Sequence, residues 1–309
     1  MKSLCLFVSY TETHHGSDLP LIFELQRFFD EVLVLTNLKP KEETFSYLVL
    51  PNAGYDFGFF YRALLQLDLS DVRVLGLVNN SQILTRGGSL DGFFSWFESI
   101  EATFCGMTDS YEAPKGVVPN RSYHVQSSFL VTKGKAVPLV ADFFREVDFE
   151  RFFRIKNPKK LRQAIINECE IGLSQYMLQH GQELAAWFSA EKFNPRHGQP
   201  LQTNMHVVLW EELILAGYPL MKRKLLNGDW DKFSKNTERR FKYIDRSATG
   251  DSVLESHVKG LGTQGINRHM KRSKGILGRI AGIFGKLLSG LRNPAASKVV
   301  ERKEQKEER

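Results

Sequence analysis

The chain has 309 residues, of which 42% are hydrophobic and 25% charged, with a formal net charge of +7. That balance is ordinary for a folded protein, and a chain of this length can bury a core without disulfides or metals. Disorder, a collagen-like repeat and a cysteine scaffold are excluded as descriptions of the whole.

Cys5, Cys105 and Cys169 stand far apart with no CxxC pair, so they read as buried free thiols in a reducing compartment. No run of about 18 apolar residues exists, and no bilayer-spanning helix is expected. The opening MKSLCLFVSYTETHH has no small-residue cleavage site and turns polar at Thr11. It reads as a first strand rather than a signal peptide.

In chain order, 3–10, 31–36, 47–50 and 72–78 are short runs rich in Val, Leu and Phe with polar or turn-forming borders. These are the marks of buried strands. Between the first two, LPLIFELQRFFDE has apolar residues at helical spacing, and 57–67 (FGFFYRALLQL) does so again. Strand–helix alternation predicts an α/β fold: a Rossmann-type, mostly parallel sheet flanked by helices, with ligands at the carboxyl ends of its strands. Further strands are expected over 102–107 and 123–133, and helices over 135–146, 157–180 and 207–216. The domain is expected to end near 226. A polar linker follows over 227–270, then a basic amphipathic helix over 271–293 and a charged tail over 294–309.

Three polar clusters fall at predicted strand ends. NAGYDFG follows the third strand, where Gly54 and Gly58 permit tight turns while Asn52 and Asp56 grip a ribose, base or sugar hydroxyl. An Asx-capped turn into a helix is the simpler reading of the same spacing. Asn79, Asn80 and Ser81 end the fourth strand, either as a turn or as ligands of a diphosphate or its metal. Magnesium favours carboxylate oxygens, so two asparagines make a weaker metal site than an aspartate pair. Glu168 and Glu170 lie in an apolar helix, where a carboxylate needs a partner or a catalytic reason. His124 and Gln126 alternate along one strand and share its face. Neither a dinucleotide fingerprint, a P-loop nor a GxSxG elbow is present.

Taken in order, NAGYDFG, NNS, GMT, HVQSSFLV, ECEIGLS and NMHVVLWEELILAGYPLMKRKLL resemble the rhamnan synthesis F family of polysaccharide-assembly proteins. The resemblance spans roughly 2–226 and implies a GT-A-like, inverting glycosyltransferase using a nucleoside-diphosphate sugar such as dTDP-L-rhamnose. It implies donor contacts from Asn52, Gly54, Asp56, Asn79, Asn80 and Ser81, and a catalytic base at Glu170 that takes the acceptor hydroxyl proton. Asp109, His124 and Gln126 would contact the sugar or acceptor. Asn80 and Ser81 are the candidate ligands of Mg2+ or Mn2+. The family usually has aspartate where Asn80 stands and an aromatic residue where Ser128 stands.

The charge is uneven. Eight Lys and Arg and no acid fall within 256–292, so that removing them from the total of +7 leaves the rest at −1. Within GILGRIAGIFGKLLSGLRN the apolar residues gather on an arc of about 160°, opposite Arg279, Lys286 and Arg292. Such a helix lies in an anionic membrane surface rather than crossing it. Docking on the body or on a second subunit is the plainer alternative. A neutral body without interleaved surface aromatics argues against nucleic acid as a partner. The expected partners are a nucleotide-sugar donor, a lipid-linked glycan acceptor and the cytoplasmic face of the cell membrane. A catalytically silent scaffold that binds nucleotide-sugar or glycan is the competing reading, favoured by Asn80.

Overall fold

Strand β1 (Lys2–Val8) sends alternate side chains to two cores, with Leu4, Leu6 and Val8 in one and Cys5 and Phe7 in the other. A period of two with apolar residues at every step marks a strand covered on both faces. β2 (Glu31–Thr36) repeats the pattern, with Leu33 and Leu35 opposed to Val32 and Val34. The computed structural model describes residues 2–9, 15–40, 45–193 and 203–225. The expected linker, amphipathic helix and tail over 227–309 lie outside the described residues.

After β1 come α1 (His15–Leu25), β2, β3 (Tyr47–Val49), α2 (Tyr55–Leu64) and β4 (Val72–Asn79). The four strands run parallel in the order β3-β2-β1-β4. Next are β5 (Gln82–Leu84), α3 (Asp91–Ser99), β6 (Phe104–Ser110), β7 (His124–Val125) and β8 (Phe129–Lys133). β8 lies antiparallel between β4 and β6, and β7 pairs with the far end of β6. Then follow α4 (Ala136–Glu146), α5 (Phe149–Phe153), α6 (Pro158–Ile165), a π-helical turn (Ile166–Ile171) and α7 (Gly172–Gln179). β9 (Leu184–Phe188) returns parallel to β6, and the described chain ends with α8 (Ala190–Phe193), α9 (Met205–Val208), α10 (Trp210–Leu215) and β10 (Leu220–Lys222). β10 pairs antiparallel with β5 in a separate two-stranded sheet.

The α/β expectation of a mostly parallel sheet flanked by helices holds. α2, α4, α5 and the α6–α7 helix supply one core; α1 and α3 supply the other. Cys5, Cys105 and Cys169 are free and buried, and burial pushes the Cys105 thiol up to about 12.

Four expected elements differ. The fifth strand runs on to Ser110, so Thr108 and Asp109 lie within it. The single strand over 123–133 is broken. Gln126 N–H still bonds Thr108 O (2.9 Å), but Ser127 and Ser128 turn away to bind Glu170 and Gln82. His124 and Gln126 therefore do not share the face of one continuous strand. The helix over 157–180 contains the π turn, and the one over 207–216 is divided at Leu209.

Candidate functional site

The loop before α2 is built by two glycines. Gly54 takes φ +83°, which L-residues rarely adopt, and a Cβ on Gly58 would stand 1.8 Å from Ala53 O. The loop can therefore press against the first turn of α2, where Arg62 Nη1 bonds both Ala53 O (3.0 Å) and Gly58 O (2.9 Å). Tyr55 follows at φ 53°, a left-handed conformation that costs a non-glycine residue about 1–2 kcal/mol. Its hydroxyl donates to Pro158 O (3.1 Å). This strained entry aims Asp56 at the end of β4.

There Asn79 donates from Nδ2 to Asp56 Oδ2, while its Oδ1 accepts Ser81 N–H (3.0 Å). Asn80 N–H bonds Val8 O (3.0 Å), which brings the ends of β1 and β4 to one rim. Glu170 enters from the π turn, and its Oε1 accepts both the N–H (3.1 Å) and the hydroxyl (3.0 Å) of Ser127. A π turn inserts one residue into the helical register and is common at functional sites. Asp56 and Glu170 are close enough to interact electrostatically. Burial first, then the Glu170 charge, raises the Asp56 carboxyl from 3.8 to about 6, against the opposing bonds from Asn79 and Phe57 N–H.

Asp56 thus binds its proton more tightly folded than unfolded. Its contribution to stability falls as pH rises from about 4 to about 6 and is flat above. The full shift corresponds to about 3 kcal/mol, which partial exposure reduces to roughly 1–2 kcal/mol. Asp56→Asn is expected to gain that much on the wild type between pH 4 and pH 7.5, read by urea unfolding at both. Parallel stability–pH curves for the two proteins would contradict the raised carboxyl.

Lys222, at the end of β10, is half-buried and makes no hydrogen bond or ion pair among the described residues. Burial lowers its pKa, while the Glu170 and Asp56 charges act to raise it. Its neighbour Arg223 turns the other way. Arg223 Nη2 pairs with Asp18 Oδ1, Nη1 bonds Ser17 Oγ (2.5 Å) and Nε bonds Asn80 O (2.9 Å). Asp18 Oδ2 accepts Ser9 Oγ (2.6 Å) and Asn80 Nδ2 (3.1 Å). Asn80, expected at the donor, is buried and joins this ion-pair network through its Nδ2.

A second web backs the rim. His206 Nε2 lies 2.9 Å from Thr108 Oγ1 and 2.8 Å from Tyr218 Oη, and Tyr218 donates to Gln82 Oε1 (2.8 Å). Gln82 Nε2 bonds Ser128 Oγ (2.5 Å), the hydroxyl standing where the resembled family has an aromatic ring. Burial, then the nearby Lys222 charge, holds His206 well below its usual value, so it is neutral.

The remaining expected residues lie apart from Asp56 and Glu170 in their contacts. Asn52 is exposed in the loop. Asp109 is buried, with its carboxylate accepting Ala190 N–H (2.5 Å) and Tyr123 Oη (3.3 Å). His124 Nδ1 donates to Ser122 O (2.6 Å), and Gln126 Oε1 accepts Thr108 Oγ1 (3.2 Å). Glu168 pairs with Arg151 at the surface. Sequence reasoning missed Lys222, Ser127, Asp18, Arg223 and His206. Its available signal was MKRK, a basic run beside the apolar Tyr218–Leu220–Met221 stretch.

The divalent metal implied by the resemblance does not fit the NNS triplet. Both polar ends of Asn79 and the Nδ2 of Asn80 are engaged by protein, which leaves the triplet two neutral side-chain oxygens, Asn80 Oδ1 and Ser81 Oγ, without a hydrogen-bonded partner among the described residues. Among the described residues, no group of three His, Cys, Asp or Glu side chains could hold a metal.

No family model matches the chain, and no curated protein matches its sequence. Among solved structures it is similar to 4-diphosphocytidyl-2C-methyl-D-erythritol synthase from Anaerococcus prevotii, at 9% identity and TM-score 0.36, covering 70% of this chain and 97% of that one. It is also similar to core-mannan synthase A from Aspergillus fumigatus in a Mn/GDP form, at 12% identity and TM-score 0.31, over 57% and 66% of the two chains. A third is a glycosyltransferase involved in glycosylation of the major capsid of PBCV-1, at 7% identity and TM-score 0.32, over 54% and 75%. Likenesses this distant carry no functional argument, and the site itself must carry it.

Proposed function

We propose that the chain is a nucleotide-sugar-dependent, inverting glycosyltransferase. The observation that carries this reading is the meeting of Asp56, Asn79 and Glu170 at the carboxyl rim of parallel strands, where open α/β sheets bind their ligands. Glu170, with one oxygen fixed by Ser127, presents the other to an acceptor hydroxyl as general base. Asp56 accepts from a donor sugar hydroxyl once ionised, above a pH of about 6.

The order of the sequence motifs supports a dTDP-L-rhamnose-like donor and a lipid-linked glycan acceptor. The cationic, amphipathic sequence of 271–293 supports work at the anionic inner face of the cell membrane. Among the described residues, no helix is long and apolar enough to cross a membrane.

A silent nucleotide-sugar-binding scaffold is the second reading, favoured by the engagement of Asn79 and Asn80 with protein partners. Purified full-length protein, screened against a panel of nucleotide sugars with glycan-lipid acceptors, separates the two. Turnover of one donor is the expected result. Binding of a donor without transfer or hydrolysis would favour the scaffold.

A further inference from the structure

Building on the glycosyltransferase reading, we infer that Lys222 stands in for a divalent metal at the donor diphosphate. The leaving diphosphate gains charge as it departs, and a transferase must meet that charge with a cation or positioned donors. At the position a metal would occupy, two carboxamides are already held by Asp56, Ser81 N–H and Asp18. These groups offer a divalent ion one hydroxyl and one neutral amide oxygen, Asn80 Oδ1, and no carboxylate set. A cation of the chain's own is delivered to the same place by a different element.

The delivery is rigid. β10 holds Lys222 in register opposite Gln82, directly after the triplet, and Arg223 N–H bonds Ser81 O (2.8 Å). The buried Arg223–Asp18 pair locks the strand end to α1. With Arg223 committed to Asp18, Ser17 and Asn80, Lys222 is left as an ammonium without a hydrogen-bonded partner among the described residues, in the field of Asp56 and Glu170. Those carboxylates favour its protonated form but do not pair with it. A diphosphate would complete what they leave open. Neutral His206 beside it adds no competing positive charge.

In the transfer, the acceptor oxygen bonds to the anomeric carbon as the bond from that carbon to the diphosphate oxygen breaks. The electron pair leaves with the diphosphate, beside the Lys222 ammonium. Glu170 takes the acceptor proton. Donor, acceptor, base and leaving group balance without a further reactant.

The test uses the full chain, nucleotide sugars and two product probes, dTDP and UDP, each with EDTA or with Mg2+ or Mn2+. Wild-type turnover is expected to stay within about twofold in EDTA. Lys222→Met is expected to lose about 10²-fold or more in kcat and at least about tenfold in nucleoside-diphosphate affinity, a loss equal to 1.4 kcal/mol. Affinity for the nucleoside alone should be unchanged, which a merely structural lesion would not spare. Lys222→Arg should recover a measurable part of both losses, and circular dichroism checks that each variant is folded. Wild-type turnover that EDTA abolishes and metal restores would overturn the inference and leave the enzyme reading standing. So would diphosphate affinity unaltered in Lys222→Met. If the wild type neither binds nor turns over any nucleotide or nucleotide sugar, with or without metal, the glycosyltransferase reading fails and the role of Lys222 with it.

Discussion

Glu170→Gln is expected to slow sugar transfer by about 10²–10⁴-fold while donor affinity stays within about twofold. The glutamine carbonyl can still accept from Ser127 N–H and its hydroxyl, so the side chain keeps its position. What is lost is the ability to take a proton. The variant carries an internal control, because Glu170 is the second cause of the raised Asp56 carboxyl. Removing its charge should move that titration from about 6 toward 3.8, even if no substrate is present. Single-turnover transfer, calorimetric donor titration and NMR titration of Asp56 read the three quantities. A variant with wild-type transfer at saturating donor would remove Glu170 as the base. An unmoved Asp56 titration would deny that the two carboxylates share a site at all.

Arg223→Met is expected to destabilise the domain by about 3–5 kcal/mol, the scale for removing one partner of a buried ion pair. The cost comes from Asp18, which is 1% exposed and would lose its cation while remaining buried. Two further bonds go with it, to Ser17 Oγ and to Asn80 O. The double variant Asp18→Asn with Arg223→Met should be more stable than Arg223→Met alone, because no charge is then stranded. Urea unfolding of the wild type, both singles and the double closes the cycle. Additive losses would mean that the two residues do not act as a pair.

How much of this was legible in the sequence depends on distance along the chain. β2 was expected over 31–36 and is Glu31–Thr36, and β4 was expected over 72–78 and gains only Asn79. Buried strands announce themselves by local runs such as EVLVLT, which need no partner to be seen. α2 began two residues earlier than its apolar spacing suggested, since Tyr55 is forced into a left-handed start that no hydrophobic pattern reports. β5 and β10 are three residues each and take their identity from one another, across most of the domain. Nothing local marks them, and Lys222 and Arg223 were overlooked with them.

The site residues divide in the same way. Asp56, Asn79 and Glu170 stood out as polar groups at the ends of apolar elements, and the structure gathers them. Asn80 stood out equally and is turned inward, because its fate is decided by Asp18 and Arg223, one far before it and one far after. The insertion that swings Glu170 into place is likewise silent. A π turn preserves the apolar positions on either side and only shifts their phase.

The bond between Asp18 and Arg223 joins residues 205 positions apart. A contact that distant must close a long loop before it returns any stability, so it belongs to the late stages of folding. During synthesis, β1, α1 and β4 leave the ribosome well before the segment that secures their rim. Until Arg223 has been made, the Asp18 carboxylate at that rim is without the cation that it pairs with in the folded domain.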